Sequence, residues 1–468
     1  MGTISGALSL ITGALDADQS ALDVVANNVA NANTTGYTEE KASFKENDSI
    51  TINGETVGQG ATETGSTSQR DSVLLQRLNQ QQQLESSSST RLSALNDVQS
   101  LFKVNANSSS SSGGDIGSDI TSFFDSFSSM ESEPSSSSYR EAVLSAASTL
   151  ASDVSSSASS LNEQKAAVDQ EASSVASQVN ALTTSIAQLN KQITATSPDS
   201  DAGPLEDQRQ TDISSLSKLI GINQVSEKNN GLQITTTSGR VLVDGDTNFD
   251  LTTGTSDGVT HFYVGATDVT SELADGGGQL GGYLTARDTD IAGTLASLDQ
   301  LAYSISTTVN SQNASGTDLD GAAGSNIFSE PTTASGSALA MSVTMTDSDK
   351  IAASTANEGT GGSTNVMAMA GLASSAFVSG KTPSNYYSSI VSTLGTTVSE
   401  VSTEQTAQKS SVSQLQTQVD STSGVNLNDE AASLTTYERS YQAASHVFSI
   451  LNGIYAMALN LGETTTVS

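Results

Sequence analysis

Apolar positions at the start of the chain recur in steps of four and three, Ile4, Leu8, Ile11, Leu15, then Leu22, Val25 and Val29, with Asp18 the single break. That spacing predicts a helix carrying a narrow, coiled-coil-like seam. It stops at Asn31 to Gly36, where Asn, Thr and Gly favour turns and caps. An extended stretch, Tyr37 to Val57, follows. Asp71 is placed to cap a second helix whose face carries Leu74, Leu78, Leu92, Leu95 and Phe102, with a polar middle from Gln80 to Ser89. Asn107 to Gly114 reads as a Ser-rich linker. Leu161, Val168, Ala172, Val175, Val179, Leu182, Ile186, Leu189 and Ile193 predict a third, long helix, ended by Ser197 and Pro198.

From Ile222 to Phe262 the period changes. Short β-rich runs, Leu232 to Thr237, Arg240 to Val243 and His261 to Val264, alternate with Asp, Gly and Thr turn formers. Helical spacing resumes from Leu284 to Val309 and again from Val391 to Val419; between them Asn313 to Asn385 is Gly/Ser/Thr-rich, with one strand-like run at Met341 to Met345. The last helix shows heptads directly in Leu427, Leu434, Tyr441, Phe448 and Tyr455, with Leu451 on the same side; Val447, Ile450, Ile454 and Leu461 widen its face beyond a two-helix seam. The expected fold is mainly α with a β insertion. The two end helices, 1–36 and 425–468, pair as a coiled coil, 37–221 with 283–424 forms an elongated helical domain that is irregular over about 313–385, and 222–282 forms a small inserted β domain.

Composition narrows the function. The chain has 468 residues, enough for more than one core. Its 51 acidic against 18 basic side chains give a net charge of -33, which repels nucleic acid and anionic bilayers. Aromatic residues make up 4% and Trp is absent, so the helices pack through small and aliphatic side chains. With no Cys there is neither a disulfide nor a thiolate metal site. Met1 to Leu15 lacks the basic start and continuous apolar core of a secretory signal, and no stretch reaches the ~18 apolar residues of a membrane span.

Candidate chemistry is sparse. His261 and His446 have no converging partners in the sequence, so neither a triad nor a zinc site is indicated. Asp244, Asp246, Asn248 and Asp250 have calcium-loop spacing, but Phe249 stands where the Gly is needed and Thr255 where the bidentate Glu is needed, so an acidic turn is expected. Gly276 to Gly282 lacks the Lys-Ser/Thr of a phosphate loop and is expected to be a flexible junction. No catalytic residue, metal or cofactor is assigned.

Two segments carry more information than their chemistry. NNVANANTTGYT, Asn27 to Thr38, resembles the motif after the first helix of bacterial flagellar axial proteins, the rod, hook and hook-associated proteins; its motif positions here are Asn27, Asn28, Asn31, Asn33, Gly36 and Tyr37. SGVNLNDEAASL, Ser423 to Leu434, and YQAASHVFSILNGIYAMALNL, Tyr441 to Leu461, resemble the C-terminal helix of the same family. LEDQRQTDISSLSKLIGI, Leu205 to Ile222, and GGQLGGYLTARDTDI, Gly277 to Ile291, resemble the helices flanking the β domain of its hook-associated branch. Family members often carry a basic residue after the Gly-Tyr-Thr run, whereas Glu39 and Glu40 stand there in this chain.

The resemblance implies a structural subunit, not an enzyme, at the junction between hook and filament. Its terminal helices would form an inner layer of a tubular assembly of copies of itself, with hook protein below and the second hook-associated protein above. It would be extracellular, exported through the flagellar type III apparatus without a cleaved signal, with a cytoplasmic chaperone covering the C-terminal helix. The candidate assembly interface is Leu8, Ile11, Leu15, Leu22, Val25 and Val29 with Leu427, Leu434, Tyr441, Phe448, Leu451 and Tyr455. A hook or distal-rod protein would instead need a β-dominated middle, and a secreted helical adhesin would need a surface-binding role.

Overall fold

The computed structural model describes residues 2–52, 55–102, 115–196, 201–256 and 258–460. The expected linker at 107–114, the helix stop at 197–198 and Leu461 lie outside them. Helix α1 (Gly2–Asn31) ends at the Asn/Thr/Gly turn, as its spacing predicts. The extended region then runs past Val57. Strand β1 (Glu40–Glu46) pairs antiparallel with β4 (Ala61–Ser68), and the short β2 (Ile50–Ile52) and β3 (Glu55–Val57) pair between them. Strand β4 reads ATETGSTS and has no apolar alternation to announce it; it lies along α1 instead of covering a core.

Helix α2 (Ser72–Leu101) starts where the Asp71 carboxylate accepts the amides of Val73 and Leu74, both at 3.0 Å. Its polar middle is partly buried, at Gln82, Gln83, Ser86 and Ser88, where neighbouring elements supply partners. Gln83 Nε2 donates to the Ile222 carbonyl at 3.0 Å, and Ser214 donates to Gln82 Oε1 at 3.0 Å.

Helix α3 (Ile116–Met130) is not announced by the sequence spacing, and α4 (Ser137–Thr196) is 60 residues long, beginning well before Leu161. Their apolar positions are embedded in serine, which dilutes the period. Phe123 meets Phe124, Phe127 and Phe328 with ring centroids 5.1, 5.2 and 5.4 Å apart, and Val143, Ala147, Leu150, Val154 and Ala158 of α4 are fully buried.

Helix α5 (Pro204–Leu219) opens with proline, whose missing N–H costs nothing in a first turn. It leads into β5 (Ile222–Ser226), β6 (Leu232–Thr236), β7 (Val241–Asp244) and β8 (Thr247–Asn248), an antiparallel meander in that order. Strands β9 (Leu251–Ser256), β10 (Val259–Val264) and β11 (Thr267–Asp268) form a second sheet with β10 central. The Asp244 to Asp250 run makes the β7–β8 hairpin and its exit, where Asn248 Nδ2 donates to Asp250 at 2.9 Å.

After α6 (Thr270–Ala274), helix α7 (Gly278–Thr285) corrects the expectation of a flexible junction. A Cβ on Gly282 would stand 2.4 Å from the Ser87 carbonyl oxygen, and one on Gly278 2.5 Å from the Ile220 nitrogen, so these glycines permit close backbone packing. A π-helical turn at Ala286–Ile291 joins α7 to α8 (Ala292–Ala314). It points the buried Arg287 at Asp169, Asp288 and the Thr260 carbonyl, and Asp290 at Arg91.

Between Ala314 and Pro383 lie only α9 (Ser337–Ala340), α10 (Thr364–Gly371) and short 3-10 turns. Met341 to Met345 is not a strand: it contributes one isolated bridge, Val343 to Phe328, and its two methionines are buried. Helices α11 (Pro383–Ser423) and α12 (Leu427–Asn460) complete the chain. The molecule is thus mainly helical with a small β insertion. One core joins α2, α3, α8, α11 and the first half of α4; a second joins the later part of α4 to α5, α7 and both sheets. No residue of α1 or α12 belongs to either.

Where α3 meets α4, burial first, then a hydrogen bond with Asp153 and the charges of Asp153 and Asp115, push the Asp119 carboxyl up to about 7. A carboxyl raised above its unfolded value contributes stability while protonated, and that contribution is lost as pH rises through about 7. Asp119→Asn is therefore expected to melt progressively higher than the parent between pH 5 and pH 8, a comparison that thermal unfolding at both pH values checks directly.

Candidate assembly face and the joint behind it

Helices α1 and α12 pack on each other along their length. Of the twelve predicted interface residues, only Val25 is buried. Leu8, Ile11, Leu15, Leu22, Phe448, Leu451 and Tyr455 are half-buried, while Val29, Leu427, Leu434 and Tyr441 stay exposed. The sequence period finds one continuous set, and the structure divides it between a seam and an outward face. Val447, Ile450 and Ile454 are exposed on another side of α12, with Ile450 62% exposed. Leu10, Met457 and Leu459 are also exposed and escape the sequence reading, since they fall off the heptad positions. Single exposed apolar residues are ordinary, but a row of them along one helix marks a surface made for contact.

Behind this face lies a polar joint built from the Asn-rich motif. Asn28, 1% exposed, sits inside the last turns of α1 and uses its full hydrogen-bonding capacity. Its Nδ2 donates to the Glu40 carbonyl and to Glu430 Oε1, both at 2.8 Å; its Oδ1 accepts from the Tyr37 hydroxyl at 2.8 Å and the Glu40 amide at 3.0 Å. Asn31 serves the turn itself: it donates to the Asn27 carbonyl and side chain and accepts from Thr34. Asn33 is exposed. Gly36 has φ +82°, and a Cβ there would come within 2.5 Å of Thr211 Oγ1 on α5.

The joint continues into the body. Thr38 donates through its amide and hydroxyl to the Asp207 carboxylate at 2.9 and 2.7 Å, and Arg70 bridges Asp207 at 2.7 Å and Glu206. The Glu39 amide donates to the Ser423 carbonyl at 2.8 Å, tying the end of α11 to the same turn. Burial pushes the Tyr37 phenol well above its usual range, helped by the charges of Glu40 and Asp207. Burial likewise raises the Glu430 carboxyl, and the hydrogen bond from Asn28 works against that rise. Among the described residues no cluster of three or more His, Cys, Asp or Glu is arranged to hold a metal, and His261 pairs only with Asp268 at 2.7 Å. Among the same residues no helix is long and apolar enough to cross a membrane.

A family model described as the flagellar hook-associated protein FlgK helical domain matches residues 95–328, half of the chain. The chain belongs to the flagellar hook-associated protein FlgK family. A second model, flagella basal body rod protein, matches residues 11–38, which span most of α1 and the Asn28 to Tyr37 turn. Flagellar hook-associated protein 1 of Salmonella typhimurium (strain LT2) is 26% identical over 549 aligned residues, covering 96% of this chain and 98% of that one. The protein of the same name from Bacillus subtilis (strain 168) is 25% identical, covering 96% of each. The solved flagellar hook junction protein FlgK from Burkholderia pseudomallei superposes with a TM-score of 0.65 at 18% identity, over 73% of this chain and 99% of that one, so the fold is shared.

The joint makes a stability prediction. The Arg70 side chain is 13% exposed and holds two carboxylates, so Arg70→Ala leaves buried charge uncompensated. A loss of roughly 3 kcal/mol is expected for the unfolding of the β1–β4 hairpin from α5, read by urea denaturation of the purified protein.

Proposed function

We propose that the chain is a structural subunit of the bacterial flagellum that forms the junction between hook and filament and is required for filament assembly. The observation that carries this reading is the row of exposed apolar residues on a helix pair that neither core contains. Such a face gains about 25 cal/mol for each Å² of apolar area covered, which favours an assembly of copies over a free subunit. Family membership and the names of the relatives support the flagellar role. The long helices of the middle region also differ from the β-dominated middle expected of a rod or hook protein.

In this reading residues 1–36 with 425–468 form the inner layer of a tubular assembly. The helical body, 37–221 with 283–424, lies outside it, and the β domain, 222–282, projects from the body. Hook protein and the second hook-associated protein are the neighbours. The subunit is exported without a cleaved signal peptide, and a chaperone covers α12 in the cytoplasm, where Ile450 and Met457 are otherwise exposed.

Electron microscopy of cells lacking the gene, with an assay for flagellin in the medium, tests the reading. Bare hooks with flagellin lost to the medium are expected. Full filaments would overturn the junction role and favour a secreted adhesin, and loss of hooks as well would point to a rod or hook component. Complementation sharpens it: Leu434→Asp with Phe448→Asp should leave the unfolding of the two cores within about 0.5 kcal/mol of the parent, while filaments fail to form.

A further inference from the structure

An apolar seam of small and aliphatic residues says little about register. With apolar positions every three or four residues, sliding one helix along the other by a heptad sets apolar against apolar again. Helices α1 and α12 have such a seam: on α1 Ala21 and Val25 are buried and Leu22 half-buried, and on α12 Phe448, Leu451 and Tyr455 are half-buried. The three-residue connection from α11, whose end the Glu39–Ser423 bond holds, limits such a slide, and a polar contact inside the seam can choose among the positions that remain.

Ala21, Val25 and Asn28 follow one another in steps of four and three, and Glu430, Ser433 and Tyr437, the covered residues at the start of α12, in steps of three and four, so both polar residues stand at seam positions. Asn28 is 1% and Glu430 5% exposed. Their bond, at 2.8 Å, is the only hydrogen bond between α1 and α12 among the described residues.

We propose that Asn28 and Glu430 are a register latch, which fixes where the C-terminal helix sits along the N-terminal helix and ties that position to the body of the subunit. Sliding α12 would strand a buried N–H of Asn28 and a buried carboxylate together, a cost that no other seam position imposes. Asn28 cannot follow, because its remaining bonds hold the Glu40 backbone and Tyr37, and Thr38, two residues before Glu40, is bonded to Asp207 on α5. A single buried polar residue setting register is the best-attested use of such groups in helix pairs. The latch is a property of the chain alone; its consequence, a fixed outward face for assembly, rests on the junction reading.

The chain supplies its own probe. After Lys409 the only Lys or Arg is Arg439, near the middle of α12, so tryptic cleavage there reports the opening of that helix. Purified full-length protein would be compared with Asn28→Asp, Glu430→Gln and the double variant. Asn28→Asp sets acceptor against acceptor at both Glu430 and the Glu40 carbonyl, and cleavage at Arg439 should accelerate by on the order of tenfold or more, from the loss of both Nδ2 bonds, one of them to a charged group. Glu430→Gln keeps an acceptor and should cleave within about threefold of the parent, on the same scale. In the double variant the new amide on α12 can donate to the new carboxylate on α1, reversing the direction of the bond, and cleavage should slow again toward the parent rate. Equal cleavage of the parent and Asn28→Asp, or no recovery in the double variant, would overturn the latch. Filament formation in the gene deletion would overturn the junction reading while leaving this result untouched.

Discussion

Everything outside the terminal helices is organised by one apolar stripe on α4. The helix is 60 residues long, and its buried residues from Val143 to Val168 belong to one core while those from Ala172 to Ala187 belong to the other. Ala and Ser fill much of the helix, so its neighbours approach closely and hold position through many small contacts, not a few large ones. A continuous helix transmits orientation, so the β domain is set relative to the helical body by a shared rigid element. The ion pair of the buried Arg287 with Asp169, and its bond to the Thr260 carbonyl at 2.8 Å, pin the same joint from the side. Glycine completes it where α7 meets Ser87 and Ile220 with no room for a side chain.

The terminal pair obeys a different constraint. With a net charge of -33, copies of this chain repel one another over most of their surface. From Ser440 to Asn460 there is no Asp, Glu, Lys or Arg, and α1 carries only Asp16, Asp18 and Asp23. The second half of α12, where Val447, Ile450 and Ile454 are exposed, therefore adds nothing to that repulsion, and apolar contact there meets no like charge from its own segment.

The seams of α1, α12 and the later half of α4 are legible in the sequence because their apolar residues keep a strict period against a polar background. Helix α3 and the start of α4 are not, although Phe123, Phe127, Val143 and Leu150 hold the same period, because serine on every side resembles a linker. Strand β4 is silent for the opposite reason, having no apolar alternation at all. The segment Asn31 to Gly36 reads as a helix stop and is one, whereas the role of Asn28 inside the helix goes unread. The signal that distinguishes it is its spacing from Val25, which puts Asn28 on the apolar face of the helix where a turn residue has no reason to be.

The same joint accounts for Glu39 and Glu40, which follow the Gly-Tyr-Thr run. Glu39 forms an ion pair with Lys41 at 3.4 Å, so a cation remains beside the turn, displaced along the chain. Glu40 is buried; Ser66 donates to its Oε2 at 3.0 Å, and its Oε1 has no hydrogen-bond partner. That oxygen instead lies against Gly203, the residue preceding the first turn of α5, and a Cβ on Gly203 would stand 2.6 Å from it. Helix α5 has no side-chain cap of its own, and the positive end of its dipole favours a carboxylate at this place. The Glu40 backbone holds Asn28 through both its amide and its carbonyl, so the turn and the last turns of α1 move as one.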